Sequence, residues 1–222
     1  MKNLSILLLV VILMVVGAVC SIVAAAPLVI GITQIVEHPA LDAARDGFKE
    51  AMEEARYKEG VDVVYDLQNA QGDFTNAISI AQKFKDDKVD LIVAIATPTA
   101  QAALQVNKEI PIVINAVTDP VAASLAQSWE SSGNNLTGMS DAAPNKQQVE
   151  LIPQFLPAAK NVGTIYNAGE ANSVVQIEVA KEVCEELGII KSYYSAYSQI
   201  ITSSNTYFSH IQIPGKTMHK YF

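Results

Sequence analysis

The chain has 222 residues, with 15 Lys+Arg against 23 Asp+Glu, for a formal charge of −8. Half of it is hydrophobic and 17% is charged, which excludes a disordered chain, and 2 Cys exclude a disulfide-stapled mini-protein. The net acidity argues against a nucleic-acid partner, because such a protein needs a basic face to displace counterions from phosphate.

The averages conceal three unlike regions. No charge occurs between Lys2 and Glu37, and Leu4 to Ala26 is almost wholly apolar. All 23 acids lie between Glu37 and Glu186. Residues 27–188 hold 11 Lys+Arg against those 23 acids, a net −12. From Ile189 to Phe222 there is no acid, and five of the eight Tyr fall there.

Residues 1–26 read as an export signal or membrane anchor. Lys2 gives a short positive region, LSILLLVVILMVVGAV an apolar stretch, and Val23-Ala24-Ala25 the small residues a signal peptidase inspects. A cut after Ala25 is preferred, since Pro27 disfavours one directly before it. Two alternatives stay open: lipidation at Cys20, and an uncleaved span of the ~30 Å hydrocarbon layer. Cys184 lies in the helical pattern VAKEVCEELG and reads as a small core residue.

From Pro27 strands and helices alternate. Leu28–Thr33 is a short β-rich run. Leu41–Glu59 has Ala44, Phe48, Ala51, Met52 and Ala55 at helical spacing and ends at Gly60. Val61–Leu67 alternates, and Asp73 is placed to cap the next helix. Asp90–Ala96 is a continuous apolar strand of the kind buried on both faces. Pro98–Asn107 is a short helix and Pro111–Asn115 another strand. The alternation predicts a parallel sheet flanked by helices. Val121–Trp129 reads as helix-like, and Asn135–Ser140 as brief and extended. Pro144–Phe155 is a helix broken by Pro153, Asn161–Tyr166 a strand, and Asn172–Leu187 a helix with Val175, Val179, Val183 and Leu187 on one side. The organisation expected is a first α/β lobe over 27–134, a hinge crossover over 135–143, a partial second lobe over 144–188 and a divergent tail over 189–222.

IGITQIVEHPALDAARDGFKEAM, DLQNAQGD, DLIVAIATPTAQAA, PIVINAVTDPVAA, NLTGMSD and TIYNAGEANSV, in that order, carry a resemblance. The chain resembles the substrate-binding proteins of ABC transporters, and most of all their tryptophan- or tyrosine-uptake subfamily. The resemblance implies an α/β, two-lobed periplasmic-binding-protein (flytrap) fold with parallel sheets. It implies a small ligand, an amino acid, held between the lobes, no cofactor, and a membrane permease with its ATPase as partners. It stops near Gly188. The acid-free tail has the texture of a changed reading frame, so the second lobe is expected to be incomplete and ligand binding weak.

The residues point to the same cleft independently, because ligands of open parallel sheets collect beyond the carboxyl ends of the strands. There the loops are rich in hydroxyls and amides, groups that suit a zwitterion. Thr97, Thr99 and Ala100 open a helix and suit a carboxylate, as do Asn172 and Ser173 from the other lobe. Asp119, after Thr118 in the same loop, or Asp141 suits an ammonium. Gln34 and Asn167 suit orienting contacts. Asp119, Thr97, Asn172 and Ser173 are equally suited to turn-forming or capping duty. His38 reads as structural, since no nucleophile elbow, zinc-binding helix or phosphate loop accompanies it. A regulator core of the same fold would need a basic helix-turn-helix where the apolar leader stands, and a non-functional truncated product is the remaining alternative.

Overall fold

The computed structural model describes residues 26–195, and side chains as far as Ile190. The leader, with its cleavage sites and Cys20, and the tail beyond Ser195 lie outside the described residues. In chain order the elements are β1 (Leu28–Gln34), α1 (Pro39–Glu54), β2 (Val63–Asn69), α2 (Phe74–Asp86), β3 (Leu91–Ile95), α3 (Thr97–Val106) and β4 (Ile112–Val117). There follow β5 (Leu136–Ser140), α4 (Asn145–Glu150), α5 (Ile152–Phe155), β6 (Asn161–Tyr166), α6 (Ala171–Glu186) and β7 (Ile190–Ser195).

The first sheet is wholly parallel, in the order β2-β1-β3-β4-β5. Its middle strand is the continuous apolar run, and Ile92 to Ile95 are completely buried. Both faces are covered, as unbroken apolar strands require. On one face α1 lays Leu41, Ala44, Phe48 and Met52 against Ile30, Ile32, Val63, Val93 and Ile95. On the other, Phe84 of α2 and Ala100, Ala103 and Leu104 of α3 close over Ile92, Ala94, Ile112 and Ile114. Each fully buried Ile contributes roughly 1.5–3 kcal/mol relative to exposure. Gly31 makes room for this layer: a Cβ there would stand 2.8 Å from the Phe84 ring.

The helix starts follow the sequence. His38 Nδ1 accepts from the Ala40 N–H at 3.2 Å and caps α1, with Pro39 in its first turn. Asp73 accepts from the N–H groups of Thr75 and Asn76 and caps α2. The end of α1 differs from expectation. It stops at Glu54 rather than running to Gly60, because Arg56 takes the left-handed conformation that closes helices.

The stretch 121–129 is also not a helix. Asp119 and Pro120 open a set of turns, and Ser124 lies at φ 59°, outside helical space. Leu136–Ser140 is extended, and it pairs as the fifth strand of the first sheet. Its register against β4 shifts between Ile114 and Val117, where Ala116 has φ 55°. Gly138 passes so close that a Cβ would meet the Ile114 carbonyl oxygen at 2.0 Å.

The second sheet pairs β6 and β7 in parallel, joined through α6. Ile177, Val183 and Cys184 are the buried positions of that helix, so the expected stripe turns toward Ile177, and Leu187 is half-exposed. Lys146 ties α4 to the end of α6 through Glu186 at 3.1 Å. Beyond this the apolar residues are poorly covered: Phe155 is 77% exposed, Ile190 67% and Ile165 44%.

Candidate ligand cleft

The parallel register sets the strand ends in a row. Asn69, Gln34, Ile95 and Asn115 are successive partners across β2, β1, β3 and β4. Every loop that leaves this row emerges on one rim.

Gln34 is the best-buried polar residue of the row, 4% exposed. Its Nε2 donates to the Val36 carbonyl at 2.7 Å and to Asp42 Oδ1 at 2.8 Å, fixing the turn into α1. Its Oε1 is buried without a partner, and so is Oγ1 of Thr33 beside it. Unpaired buried acceptors are costly and uncommon in native proteins, and as strand neighbours these two face opposite sides of the sheet. A cavity of about 100 Å³ adjoins Gln34, lined also by Ile32, Arg45, Leu67, Gln68 and Asn69. Arg45 is held on its far side by Asp46 at 2.8 Å and Asp42 at 3.2 Å.

At the next strand Ala96 joins β3 to α3 with φ 81° and ψ 157°, a conformation otherwise nearly reserved for glycine. This bend starts α3 with no side-chain cap. The first-turn N–H groups of Thr97 and Thr99 therefore stand at an open, partially positive helix end. Thr97 is buried. The Thr99 hydroxyl donates to the Ile95 and Ala96 carbonyls at 2.6 and 2.9 Å, bracing the bend. Ala100 packs in the core below.

Two strands along, the ends of β4 and β5 are laced together. Ser140 Oγ donates to the Thr118 carbonyl at 2.7 Å, and the Asp141 N–H to the Val117 carbonyl at 3.3 Å. Asp119 Oδ1 accepts from the N–H groups of Val121 and Ala122, each at 2.9 Å, so one carboxylate oxygen closes the following turn. Asp141 is exposed.

In the second lobe Asn167 is similarly occupied. Its N–H donates to Ser173 Oγ at 2.9 Å, its Nδ2 to Glu170 Oε1 at 2.8 Å, and its Oδ1 accepts from the Gly169 N–H at 2.9 Å. These bonds shape the start of α6, which also lacks a side-chain cap. Asn172 Oδ1, one residue into the helix, is buried without a partner. The two lobes meet here: Ala171, the first residue of α6, packs on the first-lobe core cluster that includes Ala100 and Val117. Gln34, Thr97, Thr118 and Asp119 thus follow the first-lobe strand ends, with Thr99 and Ala100 fully buried behind them and Asp141 just past β5, and Asn167, Asn172 and Ser173 gather at the helix start that leans on that lobe. Thr33 and Ala96 were not singled out from sequence. The available signal for Thr33 was a hydroxyl at a buried strand position; Ala96 carried none.

Comparison with known proteins places this geometry. The family described as ABC transporter substrate binding protein matches residues 29–210. The chain belongs to that family. A relative from Clostridioides difficile strain R20291 described as a tyrosine-binding protein is 50% identical over 149 residues, which are 67% of this chain and 43% of the relative. A Streptococcus pneumoniae structure, an ABC domain in complex with L-Trp, is 34% identical with a TM-score of 0.74, over 77% of this chain and 58% of that one. The ligand-free, open structure of a Clostridium difficile substrate binding protein is 47% identical with a TM-score of 0.60, over 76% and 57%. The chain therefore spans about half the length of these relatives. Its fold is the two-lobed, parallel-sheet fold of periplasmic binding proteins, with five strands in the first sheet and two described in the second.

Proposed function

We propose that this chain is the solute-receptor component of an ABC importer and that it holds an amino acid between its lobes without transforming it. The observation that carries the reading is an uncapped helix start in each lobe, at α3 and at α6. In α1 and α2 the first-turn N–H groups are taken by His38 and Asp73. In α3 and α6 no side chain does this, and Ala171 at the start of α6 packs on the first-lobe core. Two such ends favour a carboxylate. The unpartnered Oδ1 of Asn172 calls for a hydrogen-bond donor, which an ammonium supplies.

The names of the relatives agree: one is called tyrosine-binding and another was solved with L-Trp. The superpositions add a second support. The chain lies closer to the L-Trp complex than to the open, ligand-free structure, although the latter is the nearer in sequence. Export through residues 1–26 and delivery to a permease with its ATPase complete the reading.

Titration with a panel of L-amino acids, followed by NMR so that millimolar binding is seen, tests the proposal. Thr97→Val and Asn172→Ala are each expected to weaken the best ligand about tenfold, the usual consequence of stranding a buried polar partner. A chain that binds no amino acid, or variants that bind as well as the parent, would overturn it. Cell fractionation tests export, and a product found only in the cytoplasm would count against it.

A further inference from the structure

The sheet of the second lobe has two unlike faces. Along β6, Val162, Thr164 and Tyr166 are half-buried, whereas the alternate residues Asn161, Gly163 and Ile165 are exposed. The helix α6 packs on both strands and accounts for the half-buried set. Parallel strands are ordinarily buried on both faces, because their crossovers cover them. Among the described residues the second face stays open. Ile190 extends it onto β7, as the register partner of Asn161, and Phe155 and Leu156 stand in the turn that leads into β6; all three are largely in solvent.

We infer that this face is where two copies of the chain meet, sheet on sheet, about a two-fold axis. A bare apolar face associates with any apolar surface it encounters. A two-fold contact sets the same patch of each copy against the other and closes the association at two. The chemistry suits a like partner. Asn161, Gly163 and Ile165 carry no charge, so the face meets itself without repulsion, while over the rest of the molecule a net −8 opposes self-contact. Gly163 leaves a gap between Asn161 and Ile165, into which Ile165 of the second copy fits when the sheets stack at ~10 Å. The area is of the right order. With about 150–250 Å² for each large apolar residue, Phe155, Leu156, Ile165 and Ile190 leave roughly 400–600 Å² open on one chain. That is at least half of the ~800 Å² each partner gives to a stable interface, and the strand surface between these residues adds to it. The contact uses the side away from α6 and makes no call on Asn167, Asn172 or Ser173, so the inference stands apart from the amino-acid reading.

The test is sedimentation velocity of the full chain over a concentration series, with light scattering for the mass. A reversible monomer–dimer equilibrium in the micromolar range is expected. Ile165→Lys and Phe155→Glu each place a charge on the face and should raise the dissociation constant at least tenfold. Both positions are solvent-facing, so thermal midpoints should stay within a few degrees. Trp129→Lys, at an exposed position of the first lobe, should leave the equilibrium unchanged. That comparison separates this contact from association through residues 1–26 or any other apolar surface. A chain that is monomeric at every concentration, its face covered by residues 196–222 or left for an unlike partner, would overturn the inference. So would open-ended oligomers, or a dimer that Ile165→Lys and Phe155→Glu leave intact.

Discussion

Ala96 holds a backbone conformation that costs of order 1–3 kcal/mol for a residue with a Cβ. The fold pays this because its neighbours over-determine the bend. The Ala96 N–H donates to the Asn115 carbonyl at 2.9 Å, and its own carbonyl accepts from the Ala100 N–H and the Thr99 hydroxyl. The bend lifts the first turn of α3 off the sheet and leaves its N–H groups uncapped. Ala96→Gly relieves the steric cost and is expected to raise the unfolding free energy by about 1 kcal/mol. The same change loosens the turn, so amino-acid affinity should drop in the more stable protein. Urea unfolding alongside a titration checks both halves; a variant that is destabilised would show that the conformation carries no strain.

At the scale of elements, α2 differs from its neighbours in carrying its own anion. The two N–H groups donated by Asn76 and Thr75 hold the Asp73 carboxyl below the usual carboxylate range. Its folded pKa is depressed, so its contribution is complete above the unfolded value near 3.9 and is lost as the pH falls through the folded value. Thermal midpoints should therefore decline below about pH 4. Asp73→Asn keeps a capping oxygen but cannot titrate, and it should flatten that part of the decline while changing the midpoint at pH 7 little. An unchanged acid limb in the variant would contradict this.

The same elements show what could be read in advance. The strands of the first sheet were legible because they are buried on both faces and leave unbroken apolar runs, and Pro39 and Asp73 marked their helix starts. Residues 121–129 misled because their apolar spacing is helical, while the turn is decided by the Asp119 carboxylate and the positive φ of Ser124. The rim was legible as a position, the carboxyl ends of the strands. Which of its polar groups are spent was not. Asn167 and Asp119 close turns with the same oxygens and amides a ligand would use, and residue type alone does not separate the two uses.

At the scale of the molecule, the described residues build the two lobes unequally. The first buries its apolar residues on both sides of five strands. The second leaves Phe155, Leu156 and Ile190 largely in solvent, surfaces prone to unspecific association. Among the described residues one contact between the lobes is small: at the start of α6 the Ala171 methyl group rests on the first-lobe core. On the amino-acid-receptor reading, alanine at 171 is expected to act as a doorstop of minimum thickness that sets how far the jaws shut. Ala171→Leu thickens it by three carbons, so scattering in solution should report a larger radius of gyration at saturating amino acid than the parent chain gives. An equal radius would mean that some other contact limits the travel. A gap that a single side chain can prop open is also one whose width evolution can tune without touching any group that holds the solute.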